Sequence, residues 1–131
     1  MGICAVLGIC SALMTPQQIK GNAWAMDGDT LYVDHKAVRL WGVDAEELSE
    51  PNGFRARAAL QDIVRDATVV CTIAGASHKR SVARCTVGGA DVGEALIKAG
   101  AALDCSHYSG GHYRKAEPAG VRKILKQKPY C

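Results

Sequence analysis

The residues of this sequence that could do chemistry are five acids and two guanidinium groups between Asp27 and Arg80. Asp27-Gly28-Asp29-Thr30 is a tight-turn signal between two strand-like runs. A third run carries Arg39 and ends in Val43-Asp44-Ala45-Glu46-Glu47. In an antiparallel arrangement, Asp29 at the turn and Asp44 at the strand end sit together, and the next backbone carbonyls emerge beside them. Two carboxylates with a carbonyl and waters make a hard-oxygen site suited to Ca²⁺ or Mg²⁺. Arg39 lies on the strand leading to that site. Facing the open side, it is a fixed cation matched to a phosphate oxygen; the alternative is an ion pair with Asp29 or Glu47. Lys79-Arg80, at the entry to a later strand, is a further basic candidate.

These side chains need a scaffold, and 131 residues suffice for one domain. With 48% hydrophobic and 22% charged residues, the composition excludes a multispan membrane protein, a coiled coil and a repeat array. Strand patterns cover Gly21 to Met26, Leu31 to Val33, Lys36 to Val43, Thr68 to Ile73 and Ser81 to Val87. Helical spacing of Ala56, Leu60, Ile63 and Val64 predicts a helix over Gly53 to Asp66. Ala74 to Lys79 reads as a loop. Asp91 caps a short helix over Val92 to Ala99, closed by Gly100. Ala101 to Cys105 is extended, and Arg114 to Gln127 reads as a last helix interrupted at Pro118 and Gly120. This order predicts an α+β fold: a five-stranded OB-type Greek-key β-barrel with about three appended helices.

The net charge is +3, but its distribution is uneven. Seven acids fall between Asp27 and Glu50, against Lys36 and Arg39, whereas six bases follow from Arg114 onward, against Glu117. An acidic cluster beside a basic remainder suits a cation site within a surface that attracts anions. Met1 to Met14 is uncharged and too short to span a membrane. It reads as a signal-peptide-like leader over 1–18, lacking the usual basic start, ahead of a domain over 19–131. A buried N-terminal helix is the alternative. Outside the leader stand Cys71, Cys85, Cys105 and Cys131, with no Cys-x-x-Cys pair. The economical pairing is Cys71–Cys85 and Cys105–Cys131. With the leader, an even count favours an oxidising compartment, periplasmic or extracellular. No apolar stripe demands a partner, so the mature domain is expected to be a monomer without stable membrane insertion.

Four segments in order carry a resemblance: Asp27-Gly28-Asp29-Thr30; Val38-Arg39-Leu40-Trp41-Gly42-Val43-Asp44-Ala45-Glu46-Glu47; Arg80-Ser81-Val82-Ala83; and Gly89-Ala90-Asp91-Val92-Gly93-Glu94-Ala95-Leu96-Ile97. Together they resemble the staphylococcal nuclease (thermonuclease-like) family over nearly all of the mature chain. The resemblance implies a Ca²⁺-dependent phosphodiesterase acting on DNA and RNA. Asp29 and Asp44 would be the metal carboxylates, with the Ala45 carbonyl a further ligand. Glu47 would be the general base, with Glu46 the alternative. Arg39 and Arg80 would bind the scissile phosphate, and His78 and Tyr108 would lie near the nucleotide. Two departures stand out. The family usually has Pro where this chain has Glu46, and its common Tyr-Gly-Arg is His78-Lys79-Arg80 here. A different-class alternative is a weak or inactive OB module that binds nucleic acid or a protein partner. A third is a stapled domain with a purely structural Ca²⁺ site, which leaves Arg39 and Arg80 without a role.

Overall fold

The computed structural model describes residues 16–131; the leader expected at the N-terminus lies, through residue 15, outside them. The first strand comes in two pieces, β1 (Gln18–Gly21) and β2 (Ala23–Ala25), followed by β3 (Thr30–Val33), β4 (Lys36–Leu40) and a short β5 (Val43–Asp44). Helix α1 (Gly53–Val64) leads to the long hairpin β6 (Val69–Ser77) and β7 (Arg80–Val87). Then come β8 (Ala90–Asp91), α2 (Val92–Lys98), β9 (Leu103–Asp104) and a one-turn helix α3 (Ser106–Ser109). The sheet runs β1-β6-β7-β4-β3-β2. Because β1 and β2 are consecutive pieces of one strand, the two ends of this path meet and the sheet closes. β4 and β7 pair in parallel while the other neighbours pair antiparallel. This is the closure of a five-stranded OB-type barrel.

Alternating β-branched and leucine side chains fill it. Leu31, Val33, Val38, Leu40, Val69 and Ala83 are fully buried, each aliphatic chain contributing about 1.5–3 kcal/mol relative to exposure. α1 seals one end with Ala56, Leu60 and Val64, spaced by four residues and all buried. Asp91 caps α2 by accepting from the Glu94 amide at 2.9 Å. Cys71 is joined to Cys85 across the register-paired β6–β7 ladder, and Cys105 to Cys131, the pairing expected from the sequence. Among the described residues no helix is long and apolar enough to cross a membrane.

The first strand starts at Gln18, before the run expected from Gly21, the run expected over Lys36 to Val43 is broken at Trp41-Gly42, and two further segments differ from expectation. Ala74 to Ser77 continues β6, and the reversal is made by His78-Lys79 alone, both left-handed with φ of 51° and 65°. Two left-handed residues in succession match the twist of a two-residue hairpin. The expected helix over Arg114 to Gln127 is instead two separate 3₁₀ turns, Arg114–Ala116 and Val121–Lys123. Pro118 lacks a donor and Gly120 is left-handed at φ 78°, so no helix propagates between them. Side-chain bonds fix this segment in helical turns' place: Arg122 bonds Glu117, Gln127 and the Asp104 carbonyl.

Gly28 sits where the turn before β3 touches both the segment after β5 and α1. A Cβ there would lie 2.6 Å from the Ala45 and Ala56 Cβ atoms alike. Gly28→Ala is therefore expected to destabilise the fold by ~1–3 kcal/mol, measured as a lowered urea midpoint, with the turn bearing Asp29 pushed away from Ala45.

Candidate active site at the end of strands three to five

Strand register assembles the first half of the site. Thr30 of β3 pairs with Arg39 of β4, and the Leu40 amide donates to the Asp29 carbonyl at 2.9 Å. Asp29 and Arg39 are thereby neighbours. The Arg39 Nη2 lies 3.4 Å from Asp29 Oδ2, while its Nη1 donates to the Leu40 and Val43 carbonyls at 2.9 and 2.8 Å. The guanidinium is thus held in one orientation by two carbonyls and a carboxylate. Arg80, at the start of β7, donates from Nη1 to Thr30 Oγ1 at 3.1 Å. That hydroxyl is in turn 3.4 Å from Asp29 Oδ1. Thr30, fully buried, thus links Arg80 to the carboxylate that Arg39 meets directly, a role with no signal in the sequence.

The second half hangs on β5. Its pairing with β9 fixes Asp44 opposite Leu103. Asp29 Oδ2 accepts the Ala45 amide at 3.2 Å, joining the two halves through one peptide unit. Glu46 is buried, and its carboxylate accepts from the Asn52 amide and side chain and from the Lys126 amide, at 3.2, 2.8 and 3.1 Å. It therefore ties the segment after β5 to the start of α1 and to the C-terminal tail. Glu46 thereby fixes the turn by hydrogen bonding. Burial works to raise the Glu46 pKa, yet the Asn52 and Lys126 bonds outweigh it and hold the carboxyl below its ordinary value. Glu47 points outward, its side chain 57% exposed. Gly53 packs against this turn; a Cβ on it would stand 1.9 Å from the Glu47 carbonyl.

At the centre of these oxygens is a cation that the sequence reading missed. The Lys128 Nζ lies 2.9 Å from Asp44 Oδ1, bonds the Ala45 carbonyl, and stands 3.4 Å from Glu47 Oε1. The Lys128 amide also donates to Asp44 Oδ2 at 2.9 Å. Burial acts to lower the lysine's pKa, but the hydrogen bond and charge of Asp44, with Asp29 and Glu47, raise it above the ordinary value. Asp44, Ala45 and Glu47 thus meet around one positive charge, whereas Asp29 stands one peptide unit away and pairs with Arg39. Among the described residues, no group of three or more His, Cys, Asp or Glu side chains is arranged to hold a metal ion. The available hint is the opposition of acidic and basic stretches, which suited a cation site within an anion-attracting surface and are here bonded to each other.

Beside the arginines opens a cleft of about 540 Å³, lined by Arg39, Arg80, His78, Tyr108 and Tyr130 among others. His78 reaches it from the β6–β7 turn. Tyr108 comes from α3, which is 58% exposed at that residue, and its ring lies edge-on to Tyr130 with centroids 6.4 Å apart.

Burial raises the Asp29 pKa from 3.8 to about 6, and Asp27 adds to the rise, against Arg39, Lys128 and the Ala45 amide. A carboxyl that binds its proton more tightly when folded favours the fold below pH 3.8, and this contribution is lost as pH rises through about 6. Asp29→Asn is expected to remove that loss. Thermal melts across this range should therefore show the variant gaining on the unsubstituted chain as pH rises, and a constant difference would contradict the assignment.

Among curated proteins, a search finds none that matches the chain. A family model described as staphylococcal nuclease homologue matches residues 37–121, a span containing Arg39, Asp44, Ala45, Glu47, His78, Arg80 and Tyr108 but neither Asp29 nor Lys128. With well over half of the chain matched, and with an OB-type barrel beneath it, the chain belongs to the staphylococcal nuclease homologue family.

Proposed function

We propose that the chain is an exported nuclease whose domain, over 19–131, hydrolyses phosphodiester bonds of DNA or RNA with Ca²⁺. The observation that carries this reading is the position of Arg39, which borders the cleft and at the same time stands 3.4 Å from Asp29. A phosphodiester lying in the cleft would meet the guanidinium groups of Arg39 and Arg80, with Asp29 next to Arg39. The donor set also fits the ion. It is oxygen alone, two carboxylates and a carbonyl, already gathered about one positive charge, which is the chemistry a hard divalent cation accepts. Asp44 and the Ala45 carbonyl, with Asp29 one peptide unit away, would hold it, leaving Glu47 at its edge.

Bound there, Ca²⁺ would supply a Lewis-acid charge to a phosphate oxygen. Arg39 and Arg80 would bind the phosphate through fixed N–H groups and meet the charge that builds on its oxygens. Among the described residues Arg80 makes no ion pair, so its remaining N–H groups are available to the anion. Glu47, solvent-facing and adjacent to Asp44, would take the proton of the attacking water; Glu46 is occupied by Asn52 and Lys126, which supports Glu47 as the base. Tyr108 would stack on a base at the cleft, with His78 at its far lip. Two disulfides, together with the uncharged leader, support an oxidising compartment.

The second reading, a binding module of the same shape, is favoured by one observation: Lys128 engages the donors that the reaction needs. Cleavage of single-stranded DNA and RNA with Ca²⁺, and after chelation, separates the two. The enzyme loses cleavage with the ion; the module never cleaves. Arg39→Lys is expected to lower cleavage ~10²–10³-fold, because a point charge does not replace a planar fork, while substrate affinity changes far less. Equal losses in cleavage and affinity would favour the module.

A further inference from the structure

An ammonium group has three protons, and the Lys128 Nζ faces three protein oxygens: Asp44 Oδ1 at 2.9 Å, the Ala45 carbonyl, and Glu47 Oε1 at 3.4 Å. None is left over for a phosphate oxygen. The lysine therefore does not act as a stand-in Lewis acid. It fills the place of one. Its side chain is only 18% exposed, and that of Asp44 is wholly buried. The backbone is held as firmly as the side chain: Lys126 donates to Glu46, Lys128 to Asp44, and Gln127 Nε2 to the Asp104 carbonyl at 2.8 Å. Beyond them the Cys131 amide donates to the Lys128 carbonyl at 3.1 Å, and Cys131 is bonded to Cys105. In the same segment, Tyr130 forms part of the cleft lining.

We propose that Lys126–Cys131 is a built-in inhibitory strap, in which Lys128 fills the oxygen cage meant for the divalent ion and the Cys105–Cys131 disulfide keeps it there until a dithiol reductant releases it. The exchange balances. One thiolate of the reductant attacks a sulfur of the cystine and forms a mixed disulfide. Its second thiol then closes a ring, so that two electrons pass to the protein, two cysteine thiols result, and the reductant leaves as a cyclic disulfide. Cys105 is buried but Cys131 is partly exposed, whereas both residues of Cys71–Cys85 are buried, so the strap's disulfide is the more accessible, from the Cys131 side. Without the tether, the segment's attachment falls from a covalent closure to hydrogen bonds and one ion pair. The divalent ion then competes with a lysine that is free to withdraw. An ion that binds only the open state has its apparent affinity reduced by the open fraction.

This inference rests on the Ca²⁺-dependent reading above, and its test measures ion binding apart from cleavage. Calorimetric titration of the full chain with Ca²⁺ is compared for the unsubstituted protein, Lys128→Met, and the same variant carrying Asp44→Asn. Lys128→Met is expected to bind Ca²⁺ at least ~10-fold more tightly, and Asp44→Asn to abolish that gain. Dithiothreitol should tighten binding by the unsubstituted chain and leave Lys128→Met unmoved. Should Lys128→Met fail to fold, Cys105→Ser/Cys131→Ser, which retains the lysine but not the tether, is expected to tighten binding in its place. Equal Ca²⁺ affinity with and without the lysine, or with and without the tether, overturns the strap. Cleavage measured on the same samples tells the two ideas apart. Tighter binding without cleavage leaves the strap standing and removes the nuclease, while cleavage at unchanged affinity removes the strap alone.

Discussion

A carboxylate taken out of water needs a positive partner, and most of this site follows from how Asp44 obtains one. It lies at the end of β5, wholly buried in its side chain, in a position fixed by pairing with β9. Its counter-charge comes from Lys128, more than eighty residues further along. Removing one member of a buried pair leaves the other uncompensated, at a cost of several kcal/mol. The oxygens around Asp44 therefore already hold a cation in the folded chain. On the proposed function, the divalent ion would compete with that lysine for the same oxygens.

Asp29 meets the same constraint differently. It has Arg39 rather than a lysine, and the guanidinium is shared with two backbone carbonyls, so compensation is incomplete and burial leaves the carboxyl easily protonated. Thr30 and the Ala45 amide complete its shell. The two aspartates that the turn and strand-end positions suggested as partners are thus joined through a peptide group, each with its own base. The arginines remain on the cleft side, where the space beside them is open.

Local physics made much of this legible in the sequence. Alternation of Val and Leu gave the strands, helical spacing of Ala56 and Leu60 gave α1, and Asp91 marked the start of α2, because each signal is written within a few residues. Arg39 beside Asp29 was one of two orientations that strand position allowed, and the structure has both features: the ion pair and the cleft-facing edge. The hairpin tip was illegible because His78 and Lys79 are not the Asn or Gly that usually announce left-handed residues. The tail was misread because helical periodicity does not register that Arg122 is bonded to Glu117 and Gln127. Lys128 was invisible for a further reason: its partners are distant in sequence, and spacing arguments see only neighbours. Glu46, the alternative base, is buried and bonded to Asn52 and Lys126, an environment that depends on segments distant in sequence coming together.

The distance along the chain between Asp44 and Lys128 has a temporal side. During synthesis from the N-terminus, β5 and the turn carrying Glu46 and Glu47 emerge long before the lysine that neutralises them. Until then Asp44 is without the lysine that neutralises it in the folded domain, and contacts of such long range form slowly. Charge compensation at Asp44 is therefore completed only from the tail, the last part of the domain to be made.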